Sequence, residues 1–270
     1  MAVVVITGCS TGFGRAAALA FAEAGHTVVA TMRDLAKADG LGQVSPLLTV
    51  CQLDVVDADS RRAAVLTTLE RHGRIDVLVN NAGISSLGPA EEMPDTIVRA
   101  MFETNFFGPF ALIKDVLPSM VHNDTGRIVN VTSIGALLSS GFYSVYCSTK
   151  HALDALTMGI DIELQQFGIR AVSVVPGGFN TSIVANRIAA DRPETLYPRA
   201  KLAIEAYEER VGTRNDLTPV TEAIIEASTA AEPAARYLVG EGTTELLVGV
   251  VAEGERIHQV LRDRDAPEAR

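Results

Sequence analysis

Short valine- and isoleucine-rich runs alternate with helical stretches over the first 176 residues, and this alternation most limits what the chain can fold into. Strands are expected at 2–7, 27–31, 48–53, 75–80, 127–132 and 169–175. Helices are expected at 13–24, 58–72, 94–121 and 145–167. Runs that are apolar on both sides of the pleat belong in a parallel sheet covered by helices on both faces. Repeated strand–helix units without an obvious linker predict one α/β domain over residues 1–270, a doubly wound parallel sheet. Pro94 is expected in the first turn of the third helix, and Gly108-Pro109 should bend or interrupt it. Gly168 is expected to cap the fourth. Hydrophobic residues make up 47 % of the 270, ample for a core on each side of a sheet.

The first strand runs directly into Thr7-Gly8-Cys9-Ser10-Thr11-Gly12-Phe13-Gly14, and an alanine-rich helix follows. Strand, glycine loop and helix N-terminus together form a phosphate site. Backbone N–H groups and the helix dipole face an anion, and the glycines allow close approach. The other reading is an ordinary glycine-rich turn; placement between strand and helix disfavours it.

Tyr146 and Lys150 stand four apart in a predicted helix and so project from one face. An ammonium beside a phenol favours the phenolate and moves the group towards the working range of a proton donor. Ser133 ends the strand before that helix, where its hydroxyl can hold a substrate oxygen. Each assignment has a rival. Tyr143 is a second tyrosine, but its spacing of seven from Lys150 matches no helical neighbour. Thr132 or Ser139 could take the place of Ser133. Lys150 could be a solvated helix lysine, although only four of the 23 basic residues are lysines.

The net charge is −10, which argues against nucleic acid or an anionic membrane surface as partner. No apolar run approaches the roughly 18–20 residues of a membrane span. The N-terminus lacks a basic region, no signal peptide is read, and the cytoplasm is the expected compartment. Cys9, Cys51 and Cys147 have no zinc spacing and the five histidines do not cluster, so no metal is expected.

T-G-x-x-x-G-x-G, then Asn80-Asn81-Ala82-Gly83, Asn105, Ser133, Tyr146-x-x-x-Lys150 and Pro176-Gly177 occur in an order that resembles the short-chain dehydrogenases/reductases. The resemblance covers about residues 2–181. Thr7-Gly8-Cys9-Ser10, Val28 to Asp34 and Gln52-Leu53-Asp54-Val55 resemble its 17β-hydroxysteroid and retinol dehydrogenase branch. The resemblance implies a Rossmann-type fold and a catalytic set of Asn105, Ser133, Tyr146 and Lys150. It implies that Lys150 also bonds the nicotinamide ribose and that Asn105 holds a water linking Lys150 to solvent. Cofactor contacts are implied for Gly8, Ser10, Thr11, Gly12, Phe13 and Gly14, and for Asn81, Ala82 and Gly83 along the cleft. Asp54, with Val55 beside it, is expected at the adenine amino group. Pro176, Gly177, Phe179 and Thr181 fall in a stretch that contacts the nicotinamide carboxamide and phosphate in that family. An acidic residue that would bind the ribose 2′-OH is missing at Thr31-Met32, and Arg33 follows. Arginine can fork onto a 2′-phosphate, so NADP(H) is expected over NAD(H). Asp34 could take the acidic role if the strand ends later.

The expected activity is hydride transfer between nicotinamide and a carbonyl/secondary-alcohol pair. Leu87, Leu137, Leu138, Phe142, Phe179 and Ile183 suggest a hydrophobic ketone or alcohol, steroid- or retinoid-like, with small ketones and NAD as the alternative. A non-catalytic dinucleotide sensor and a lyase on the same scaffold are the other readings. Residues 182–218 are expected to form a substrate lid and 262–270 a frayed tail. Residues 235–240 could supply a seventh strand, with helix-like segments at 243–251 and 255–263. A homo-oligomer is expected, a dimer or tetramer; the family's tetramer contact is built by a C-terminal end that this chain does not match.

Overall fold

The computed structural model describes residues 1–181 and 215–240, together with 183, 188, 189, 197, 205, 209 and 243. Most of the expected lid over 182–218, the segment at 243–251 apart from Thr243, the segment at 255–263 and the tail at 262–270 lie outside these residues.

Among the described residues, seven strands form one parallel sheet. In chain order these are β1 (Val3–Ile6), β2 (Thr27–Met32), β3 (Leu48–Gln52), β4 (Val77–Asn80), β6 (Gly126–Val131), β7 (Ile169–Pro176) and β9 (Arg236–Val239). The short β5 (Ser86–Leu87) and β8 (Ile188–Ala189) pair separately. The sheet order is β3-β2-β1-β4-β6-β7-β9. The chain winds outward from β1 to β3, returns to the other side of β1 at β4, and winds outward again. This reversal leaves a crevice above the carboxyl ends of β1 and β4. The expected seventh strand is β9.

Helices α1 (Gly12–Glu23), α2 (Ala58–His72), α3 (Asp95–Phe102), α4 (Gly108–His122), α5 (Ser144–Leu164) and α6 (Thr218–Thr229) cover both faces. The strands alternate strictly between the two cores. Val4, Ile6, Val28, Ala30, Val77 and Val79 face α1 and α6 through Phe21 and Ile224. Val5, Val29 and Leu78 face α2, α4 and α5 through Val65, Val116 and Leu164. Gly168, at φ +68, ends the α5 region after a short 3-10 turn, as expected.

The single helix expected at 94–121 is three pieces. Pro94 sits before the helix as its N-cap, not in its first turn. The break is a π turn at Glu103–Phe107, just ahead of Gly108-Pro109, which instead opens α4. Helix α6 was not anticipated. Two buried carboxylates tie α5 to the sheet: Asp161 accepts from Arg170 Nε (2.9 Å) and Ala171 N (2.8 Å), and Asp154 accepts from Arg236 Nη2 (2.7 Å).

Candidate active site

The crevice between β1 and β4 opens into a cavity of about 800 Å³. Its floor is the glycine loop. Gly8 has φ +72 and Gly12 φ +60, backbone that side chains disfavour. A Cβ on Gly8 would stand 2.9 Å from Ala82 Cα, and one on Gly14 would stand 2.5 Å from Gly8 O. Asn81 Nδ2 donates to the carbonyls of Thr7 (2.8 Å) and Gly8 (3.2 Å). Thr7 Oγ1 accepts from the N–H groups of Asn81 (2.9 Å) and Ala82 (3.0 Å). The β4 turn therefore clamps the β1 loop and sets the depth of the crevice. Above the loop stands the N-terminus of α1, whose first N–H groups have no intrahelical acceptor. Such a cradle fits a pyrophosphate.

At one end of the cavity stand Ser133, Tyr146 and Lys150. Tyr146 and Lys150 are buried, with Lys150 Nζ 5.9 Å from the Tyr146 ring centroid. Nζ donates to the Val131 carbonyl at 2.9 Å. Burial pulls Lys150 down from the ordinary 10.5 to about 8. Ser133 and Tyr146 converge on Gly135: a Cβ there would lie 3.5 Å from Ser133 Oγ and 3.6 Å from Tyr146 Cε1. Ser133 Oγ accepts from Gly135 N at 3.1 Å, so its own proton is left to donate into the cavity. Thr132 also lines the cavity, but its hydroxyl donates to the Val174 carbonyl at 3.1 Å. Ser139 is not on the wall. Tyr143 is on the wall and stacks on Tyr146, with ring centroids 4.5 Å apart.

Asn105 lies behind the wall, in the π turn, and is buried. Its Oδ1 accepts from Ile84 N and its Nδ2 donates to Ile84 O, each at 2.9 Å. Nδ2 also donates to Thr149 Oγ1 at 3.0 Å, and Thr149 donates to the Tyr146 carbonyl at 2.7 Å. Asn105 thus joins the β4 turn to the helix of Tyr146. Its Oδ1 and Lys150 Nζ come within 3.3 and 3.8 Å of one point, the place of a Cβ on Gly83. Gly14 likewise lies beneath the loop and off the wall.

The opposite end carries Met32, Arg33, Lys37, Asp54 and Val55. Arg33 is exposed. Asp34 is turned away: its carboxylate caps a 3-10 turn at Leu35–Lys37 through Ala36 N, 3.0 Å away. Asp54 is partly engaged, accepting from Val56 N at 3.1 Å. The remaining expected contacts, Ser10, Thr11, Phe13, Gly83, Pro176, Gly177, Phe179 and Thr181, line the walls between the two ends. Of the apolar residues expected in a substrate pocket, Phe179 and Ile183 line the cavity and Leu87, Leu137, Leu138 and Phe142 do not. Ile84, Ala100, Thr104 and Lys37 were missed. Lys37 had a signal, a second cation four residues beyond Arg33 at the end of a strand.

The sequence pattern of the short chain dehydrogenase family matches residues 2–192, and the chain belongs to that family. Retinol dehydrogenase 8 of Homo sapiens is 38 % identical over 72 % of this chain and 67 % of its own length. The 17-beta-hydroxysteroid dehydrogenase type 1 of Mus musculus is 33 % identical over 87 % of this chain and 72 % of its own. Against some curated relatives the match spans as little as 58 % of the relative's length. A solved short-chain dehydrogenase from Streptomyces avermitilis superposes with a TM-score of 0.86 at 33 % identity, covering 98 % of each chain. Two solved relatives hold a nicotinamide cofactor, a short chain dehydrogenase/reductase from Burkholderia phymatum with NAD (26 % identity, TM-score 0.82, 100 and 98 % covered) and a gluconate 5-dehydrogenase from Burkholderia cenocepacia with NADP and tartrate (27 %, 0.76, 90 and 95 %). The doubly wound fold is thus that of this family. Among the described residues no helix is long and apolar enough to cross a membrane.

Proposed function

We propose that the chain is an NADP(H)-dependent oxidoreductase acting on a carbonyl/secondary-alcohol pair. One observation carries this reading: a single cavity joins a proton-handling group at one end to exposed cations at the other, with the glycine cradle between. When bound, the nicotinamide supplies or accepts the hydride. Gly8, Gly12 and the α1 N-terminus would hold the pyrophosphate, and Arg33 with Lys37 the 2′-phosphate.

In reduction, Tyr146 Oη gives a proton to the substrate oxygen; in oxidation it takes one. Ser133 Oγ donates to that same oxygen and fixes its position. The Lys150 charge beside the ring favours the phenolate as the proton leaves. Asn105 and Thr149 hold the backbone of Tyr146 against the β4 turn, and the buried setting strengthens each of these interactions.

Ile84, Tyr143 and Ile183 pack around Tyr146 and make the cavity walls there largely apolar. They support a hydrophobic ketone or alcohol, steroid- or retinoid-like, as the substrate class. The named activities of the retinol and hydroxysteroid relatives agree with that choice. A homodimer in the cytoplasm is the proposed working form. The test is an initial-rate screen of hydrophobic ketones and alcohols with NADP(H) and NAD(H). Tight NADPH binding without turnover across the panel would make the chain a dinucleotide sensor. An absence of cofactor binding would favour the lyase.

A further inference from the structure

The loop after β2 carries a second layer beneath the two cations of the cavity. Arg15, in the first turn of α1, donates from Nη1 to the Ala38 carbonyl at 2.8 Å and from Nη2 to the Asp39 carbonyl at 2.9 Å. The Asp39 carboxylate stands 4.0 Å from the same Nη2. Asp39 itself has φ +45, in the left-handed region that residues with a Cβ seldom adopt. At the other end of this loop the Asp34 carboxylate caps Ala36 N. The cap thus ties residues 34–36 to one another, Arg15 ties residues 38–39 to α1, and the 3-10 turn between bears Lys37.

Arg15 does not line the cavity, whereas Arg33 and Lys37 do. A planar guanidinium can bridge two neighbouring carbonyls at once, which a lysine ammonium does with less geometric control. Helix α1 thus supplies both the N-terminus that faces the pyrophosphate and the fork that holds the adjacent loop. Where a distant residue positions a reacting group, a misplacement of about 1 Å can cost about a hundredfold in rate.

We propose that Arg15 is a positioning residue for cofactor choice: its fork across Ala38 and Asp39 holds the 34–39 loop so that Lys37 is presented, with Arg33, to an adenosine 2′-phosphate. The proposal rests on the NADP(H) reading above. Arg15 makes no contact with the phosphate; it acts through Lys37.

The test is calorimetric titration of 2′,5′-ADP and 5′-ADP, which probe only this end of the cavity. Wild type, Arg15→Met, Arg15→Lys and Arg33→Ala are compared, with circular dichroism as the check on folding. Wild type should prefer 2′,5′-ADP by roughly ten- to a hundredfold, the span of one to two decades set by charge-assisted hydrogen bonds. Arg15→Met should lose at least about tenfold of that preference with 5′-ADP binding unchanged, and Arg15→Lys should recover part of it. If wild type shows no preference, the NADP(H) reading falls and this proposal falls with it. If Arg33→Ala abolishes the preference while Arg15→Met keeps it, the reading stands and the role of Arg15 is overturned. Equal weakening of both ligands by Arg15→Met would also overturn it, because a merely structural strut gives that pattern. Should Arg15→Met not fold, Arg15→Lys decides: a reduced preference supports the proposal and an undiminished one overturns it.

Discussion

Tyr146→Phe keeps the ring stacked on Tyr143 and removes only the hydroxyl. Turnover should fall by about 10²–10⁴-fold, the usual contribution of a general acid, while cofactor binding persists. Rates and cofactor titration read the two effects separately; near-normal turnover would move the role to Tyr143, which shares the wall. Arg33→Ala should weaken NADPH by roughly one to two decades and NADH little, since one charge-assisted bond is worth about 1.5–3 kcal/mol. Equal losses in fluorescence titration would make Arg33 structural. Lys150 carries a pH signature. The folded chain releases this proton near 8, the unfolded chain near the ordinary 10.5. Between those values the unfolded state binds more protons, so stability from this group rises with pH. Below about 8 both states are charged and the burden of the buried ammonium is constant, about 3 kcal/mol. Urea midpoints of wild type and Lys150→Met should therefore shift in favour of wild type as pH climbs from 8 towards 10.5. A pH-independent difference would mean that Lys150 keeps an ordinary titration.

Among the elements, the interrupted helix before α4 matters most. A straight helix from Pro94 to Val121 would carry Asn105 in its regular hydrogen-bond ladder. The π turn at Glu103–Phe107 instead swings its amide onto Ile84 and Thr149. π turns of this kind recur at functional sites. Asn105→Ala would leave the Ile84 N–H and C=O without these partners, a loss of about 1–3 kcal/mol per unsatisfied group. The expected readout is a lower urea midpoint together with a fall in turnover larger than any change in cofactor affinity. Unchanged turnover in a destabilised variant would confine Asn105 to the fold. The sequence pointed to trouble in this helix, but at Gly108-Pro109. A π turn has no composition of its own; it is held by partners 21 and 44 residues away.

On the scale of the whole molecule, the π turn, α4 and α5 carry exposed apolar side chains among the described residues. Phe110 is 38 % exposed, Phe107 48 % and Ile162 74 %. Ile113 and Ile160, on the same two helices, pack into their own core. Two-fold dimers are the commonest homo-oligomers, and burying these side chains would favour one. Sedimentation at micromolar concentration should report a dimer, and Phe110→Glu should shift it towards monomer. A wild-type monomer would refute the idea.

Much of this molecule was legible from the chain alone because the information is local. Apolar runs marked six strands, glycines at fixed offsets marked the phosphate loop, and a spacing of four placed Tyr146 and Lys150 on one helical face. What was illegible depended on contacts between distant segments. Only the sheet order brings the β1 loop beneath the Asn81 turn, since that requires the crossover from β3 to β4. Only packing shows that Asp34 is consumed as a cap while Lys37 faces the cavity. Spacing said that the lysine stands near the tyrosine; the desolvation of its buried ammonium decided how weakly it holds its proton. Local geometry is written in neighbouring residues, whereas desolvation and hydrogen-bond partners are set by whatever the tertiary fold places alongside.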